Sequence, residues 1–172
     1  MSVKKYVYAT LTALLLMCGA AWAARISAFE TRDLDGKVWD AGLLKNAKVT
    51  VFNVWGTFCP PCLRELPDLG ELAREMKADG VQVIGLLSDW RDRRGNEDPA
   101  KLSKARTIVR QTRADYPHLL LTPEMRRQLG GFNFIPQTYI VLRSGHIVRQ
   151  HSGATGKSAF REMIAPILQK VR

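Results

Sequence analysis

Between Val49 and Met76 the hydrophobic period of this chain changes once, and that change limits what it can fold into. Val49-Thr50-Val51-Phe52-Asn53-Val54-Trp55 is a run of β-branched and aromatic residues, the pattern of a buried strand, and it stops at Gly56. Leu66, Leu69, Ala73 and Met76 then recur at helical spacing, predicting an amphipathic helix that begins near Cys62, is kinked early by Pro67 and ends near Asp79-Gly80. Val81 to Leu87 reads as a second buried strand and Ser88 to Asp98 as a loop. Pro99 opens a helix with Leu102, Ala105 and Ile108 on one face and Arg106, Arg110 and Arg113 on another. Leu119 to Leu121 reads as a short strand and Pro123 to Leu129 as a short helix. Gln137 to Leu142 and His146 to Gln150 read as a hairpin, and Ser158 to Val171 as a last helix burying Phe160, Ile164, Ile167 and Leu168. Upstream, Asp35-Gly36 marks another hairpin within Phe29 to Asp40. Strands alternating with helices predict an α/β sandwich with a mixed central sheet, one unit from residue 24 or 25 to 172. That architecture alone assigns no function.

Residues 1–23 have a different character. Lys4 and Lys5 precede an uncharged apolar run from Tyr6 to Ala24 that includes the small-residue pattern Ala21-Trp22-Ala23, the layout of an export signal cleaved after Ala23. Two alternatives keep the segment, as an uncleaved membrane anchor or as a lipobox at Leu15-Leu16-Met17-Cys18. Each of them places the rest of the chain outside the cytoplasm, periplasmic or otherwise extracytoplasmic, where disulfides persist. Cleavage would remove one of the three cysteines and two lysines, lowering the formal charge from +10 to +8. A chain this long buries about 70% of its unfolded surface, so the remaining cysteines are not needed as staples.

Those cysteines form Cys59-Pro60-Pro61-Cys62, placed where the strand hands over to the helix. A helix N-terminus carries partial positive charge and unpaired N–H groups that stabilise a thiolate. This makes Cys59 the expected exposed nucleophile and Cys62, in the first turn, the resolving thiol. A purely structural disulfide closes almost no loop and stabilises little. A zinc site needs two more ligands from His118, His146 and His151, none of which lies near the pair in sequence, and no metal or other cofactor is expected. Pro60 and Pro61 have no N–H, so the Cys59 thiolate depends on donation from Cys62, and a moderate lowering of its pKa is expected, nearer a reductant than a strong oxidant.

With Trp55-Gly56-Thr57-Phe58-Cys59-Pro60-Pro61-Cys62, Asp35-Gly36-Lys37, Cys62-Leu63-Arg64-Glu65-Leu66-Pro67 and Phe134-Ile135-Pro136-Gln137-Thr138-Tyr139 in order, the chain resembles the exported TlpA/ResA-like thiol-disulfide oxidoreductases of the thioredoxin superfamily. The resemblance spans about Phe29 to Leu168 and implies a three-layer thioredoxin-like sandwich with an N-terminal β-hairpin and a central insertion, Val81 to Asp115. It implies a cis bond before Pro136 beside the cysteines, with Ile135 offering its backbone to a substrate strand. Phe58, Pro60 and Pro61 complete the expected substrate surface. Phe58 stands where the family usually has Trp, and Asn53 where cytoplasmic thioredoxins bury an Asp. Glu65, three residues after Cys62 on the same helix, is the expected substitute proton acceptor, the alternative being an ordinary solvated carboxylate.

The resemblance also implies partners: client protein thiols and disulfides, with apocytochrome c and a methionine sulfoxide reductase as candidate clients, and a membrane electron donor of the CcdA/DsbD type. A monomer is expected. The basic residues are dispersed, and Arg91, Arg93 and Arg94 alternate with Asp89 and Asp92, so the charge reads as surface and no nucleic-acid partner is expected. Rival classes are an oxidative enzyme of the same fold, a copper-binding chaperone, and a peroxidase. The last wants a Thr three residues before its cysteine, where this chain has Gly56.

Overall fold

The computed structural model describes residues 24–171, so the export-signal segment lies outside the described residues. Strands β1 (Glu30–Arg32) and β2 (Val38–Asp40) form the expected antiparallel hairpin, its turn closed by the Asp33 carboxylate, which accepts the N–H groups of Asp35 and Lys37. A 3-10 turn, Ala41–Asn46, which the apolar pattern did not announce, buries Leu43 and Leu44. Strand β3 (Val49–Trp55) leads into helix α1 (Pro60–Glu75), followed by β4 (Val81–Leu87), α2 (Pro99–Thr112), β5 (His118–Leu120), α3 (Pro123–Gln128), β6 (Gln137–Leu142), β7 (Ile147–Ser152) and α4 (Lys157–Lys170). The main sheet runs β5-β4-β3-β6-β7, parallel between β5, β4 and β3 and antiparallel thereafter.

All seven residues of β3 are buried, because both faces of the sheet are covered. Val49, Val51 and Trp55 pack into one core with Leu66, Leu69 and Leu72 of α1, Leu102, Ala105 and Ile108 of α2, and Phe160, Met163 and Ile164 of α4. Phe52 and Val54 point into a second core with Leu43, Leu44, Met125 and Leu129. This is the expected three-layer sandwich with a mixed sheet.

Several boundaries differ from the sequence reading for local reasons. Helix α1 starts two residues before Cys62, because Pro60 and Pro61 occupy the first turn, where a missing N–H costs nothing. It runs through Pro67 and ends at Glu75, and the chain reverses at Gly80, whose φ of 89° suits glycine. In α4 it is Met163 that joins Phe160 and Ile164 in the core, while Ile167 and Leu168 near the helix end are only half-buried. The expected insertion begins with β4, an inner strand between β3 and β5; the portion that extends the sheet at its edge is α2 with β5.

Gly85 of β4 pairs with His118 of β5, and a Cβ on Gly85 would sit 2.2 Å from His118 Nδ1. The imidazole therefore lies over bare backbone. Substituting Gly85→Ala should cost about 1–3 kcal/mol in denaturant unfolding, and the cost should shrink in a His118→Ala background; an equal cost in both backgrounds would show that the strand backbone, not the ring, is what Gly85 serves.

Candidate active site

Cys59 is the N-cap of α1, with extended backbone, and its sulfur accepts the N–H of Cys62 at 3.3 Å. A sulfur thus fills the position usually held by a side-chain oxygen, and with two prolines following, the Cys62 N–H is the donor that reaches it. The two cysteines are joined as a disulfide. Both are more enclosed than the sequence reading expected: Cys59 is 5% exposed and Cys62 0%. Cys59 is reached along a groove of about 520 Å³ lined by Phe58, Cys59, Pro60, Pro61 and Ile135, with Phe134 and Arg126 on its rim. Phe58 and Phe134 are 66% and 58% exposed, an unusual amount of aromatic surface beside a nearly buried sulfur.

The Ile135–Pro136 bond is cis. It brings the Ile135 carbonyl oxygen to 3.7 Å from the Cys59 sulfur, where a reduced thiol could donate to it. Phe58, Cys59, Pro60, Pro61 and Ile135 are therefore assembled into one surface, while Pro136 sits behind it as the residue that sets the approach of Ile135.

Beneath Cys62, one turn further along α1, Glu65 is buried among the layers and is no solvated carboxylate. Its Oε1 accepts from Asn53 Nδ2 at 2.7 Å, and its Oε2 from the Thr155 N–H at 3.2 Å. Burial pushes its pKa up from 4.5 to about 7, the two hydrogen bonds pull it down in part, and the charge of Asp68 adds to the rise. Asn53 also donates to Thr138 Oγ1 at 3.2 Å, and its own Oδ1 has no partner. The sequence reading treated Asn53 only as a missing acid; here it is the group that holds Glu65. The signal was a polar residue inside an otherwise apolar strand run.

Of the histidines considered as zinc ligands, His118 is buried between Trp55 and Tyr116, and its Nε2–H donates to the Ala114 carbonyl at 3.0 Å. Burial lowers its pKa to about 4, so it is neutral at physiological pH. His146 pairs with the Ser144 hydroxyl. Among the described residues no three His, Cys, Asp or Glu side chains cluster as a metal site. The Thr57 hydroxyl donates a hydrogen bond to Asp89 Oδ2 at 2.7 Å, and its N–H donates to Oδ1 of the same carboxylate.

Residues 23–150 match the profile of the AhpC/TSA family. The thiol-disulfide oxidoreductase ResA of Halalkalibacterium halodurans is 27% identical over 149 residues, covering 80% of this chain and 74% of that protein. The thiol:disulfide interchange protein DsbE of Vibrio cholerae is 29% identical over 148 residues, covering 83% and 71%. A crystal structure of a thioredoxin-family thiol:disulfide interchange protein from Chlorobium tepidum superposes with a TM-score of 0.71 at 24% identity, covering 87% of this chain and 99% of that one, a likeness of fold.

The raised pKa of Glu65 makes a stability prediction. Its folded-state pKa of about 7 lies above the unfolded 4.5, so the folded state holds the proton more tightly. The resulting contribution is fully present below about pH 4.5 and is lost as pH rises through about 7, amounting to about 3 kcal/mol. In urea titrations, Glu65→Gln should remove most of the loss of stability seen between about pH 5 and pH 8; an unchanged pH dependence would assign that loss to another group.

Proposed function

The chain belongs to the AhpC/TSA family, and on that premise we propose that it is an exported thiol-disulfide oxidoreductase that reduces disulfides of client proteins through Cys59 and Cys62. The observation that carries this reading is the Cys59 sulfur capping α1 at the base of an apolar groove, 3.7 Å from the Ile135 carbonyl before cis-Pro136. A client strand laid against Ile135 would present its disulfide to that sulfur. The names of the relatives, ResA and DsbE, support the same chemistry.

In the reduced protein the Cys59 thiolate attacks one sulfur of the client disulfide. A Cys59–client mixed disulfide forms, and the first client thiolate leaves. Cys62 then yields its proton to the Glu65 carboxylate, one helical turn away on the same helix. The Cys62 thiolate attacks Cys59, the Cys59–Cys62 disulfide forms and the second client thiolate leaves, so two electrons pass to the client. Glu65, with a pKa near 7, is ionised in a large enough fraction at neutral pH to accept that proton, and Asn53 keeps it in place. The Cys62 N–H on the Cys59 sulfur supports a moderately stabilised thiolate.

Residues 1–23 serve as the export signal in this reading, with an uncleaved anchor as the alternative. Among the described residues no helix is long and apolar enough to cross a membrane. Recharging would fall to a membrane dithiol carrier of the CcdA/DsbD type. Apocytochrome c thiols, a methionine sulfoxide reductase and general disulfide repair all fit as the client.

Three measurements test the reading. Equilibration with a dithiol buffer should give a potential near about −270 mV, and a value near about −120 mV would make the protein an oxidant. Cys62→Ala should accumulate a covalent client adduct on Cys59, seen on non-reducing gels and absent from Cys59→Ala. Glu65→Gln should slow mixed-disulfide resolution and remove the rise of its rate with pH around 7, leaving the first attack by Cys59 unchanged.

A further inference from the structure

The groove at Cys59 does not stop at Ile135. It continues into a second cavity of about 230 Å³, and the two share Ser88, Arg126 and Phe132. Two guanidinium groups border this extension, each stacked on an aromatic ring. Arg126 lies 4.8 Å from the ring centre of Phe132, and Arg91 lies 4.0 Å from that of Trp90. Each is also fastened to backbone: Arg126 Nη2 donates to the Phe132 carbonyl, and Arg91 Nη1 to that of Gly95 at 2.7 Å. Stacked and tethered in this way, both have surrendered side-chain freedom before any ligand arrives.

Among the described residues neither arginine has a carboxylate partner, and the acids around them are engaged elsewhere. Asp89 accepts the Thr57 N–H and hydroxyl. Asp92 accepts the N–H groups of Arg94 and Asn96, and Asp98 caps α2. Glu97 pairs with Arg32, and Glu124 with Arg127. The groove thus has an aromatic end at the sulfur, formed by Phe58 and Phe134, and a far end bordered by two guanidinium groups that make no direct ion pair among the described residues. A second copy of this chain, itself strongly basic, is a poor occupant.

We infer that the client segment is acidic: it places a large apolar side chain on Phe58 and Phe134 beside its disulfide and one or two carboxylates, a few residues away along the strand, against Arg126 and Arg91. This rests on Cys59 acting as the nucleophile proposed above and adds the class of client. A carboxylate meeting a preorganised guanidinium next to apolar surface supplies both encounter rate and register.

The test uses the reduced full-length protein and two synthetic peptides with the same internal disulfide and adjoining phenylalanine, one bearing two glutamates beyond it and the other two glutamines. At low ionic strength the glutamate peptide should be reduced about tenfold faster, with the difference shrinking as salt is added. The difference should vanish in Arg91→Gln/Arg126→Gln and persist in Arg149→Gln/Lys170→Gln, which lowers the net charge equally at exposed sites outside the groove. Equal rates for the two peptides in the unaltered protein would overturn the inference. So would discrimination that survives in Arg91→Gln/Arg126→Gln, which would trace it to overall charge. Equal peptide rates together with arginine-dependent sedimentation on anionic phospholipid vesicles would assign the groove to a membrane surface instead. Failure to reduce the neutral disulfide 2,2′-dithiodipyridine would remove the oxidoreductase reading itself and not merely the client class.

Discussion

Strand β3 is hydrogen-bonded to neighbours on both edges and covered on both faces, and the rest of the molecule takes its position from it. Its two residue parities feed the two cores: Val49, Val51 and Trp55 toward α1, Phe52 and Val54 toward the opposite layer. With no edge or face left to solvent, the strand cannot slip register without moving its apolar side chains to the wrong core. Its C-terminal end therefore delivers Gly56 to Cys59 to a fixed place, and α1 starts there with the Cys59 sulfur on the Cys62 N–H.

The same burial creates the main electrostatic tension in the fold. Asn53 is the polar residue on the α1 face of β3, and Glu65 is the carboxylate of α1 that faces it. An ionised carboxylate there costs several kcal/mol of solvation, and two hydrogen bonds offset only part of this, so the proton is retained to near neutral pH. Structure alone would be better served by an apolar residue at 65. In the proposed reaction this dry carboxylate is the acceptor for the Cys62 proton.

A second tension lies at the surface. Exposed aromatic rings at 58 and 134 carry a solvation cost, and among the described residues the arginines at 91 and 126 make no direct ion pair. Among the described residues six other basic side chains are paired with carboxylates. Lys157 and Arg161, for example, bind Glu71 and Glu75 across the seam between α1 and α4. What distinguishes Arg91 and Arg126 is their stacking on Trp90 and Phe132 along one groove, since the lack of a carboxylate partner is shared by other basic residues such as Arg93, Arg94 and Arg149.

Much of this was legible in the residues alone. The unbroken β-branched run of β3 and β4, the period change after Gly56 and the turn glycines are local signals, so strand and helix identities follow from short windows of sequence. The thiol pair at the strand-to-helix junction was equally local, since helix N-terminal chemistry needs only the neighbouring residues. What the sequence did not contain was distance through the fold. Whether Glu65 is solvated or dry depends on Asn53, Thr138 and Thr155, which β3, β6 and the segment after β7 bring together from as far as 90 residues away. The enclosure of Cys59 and the meeting of Arg91 and Arg126 in one groove likewise depend on loops that are remote along the chain. Desolvation and charge compensation are set by everything that packs around a group, and only the assembled layers decide them.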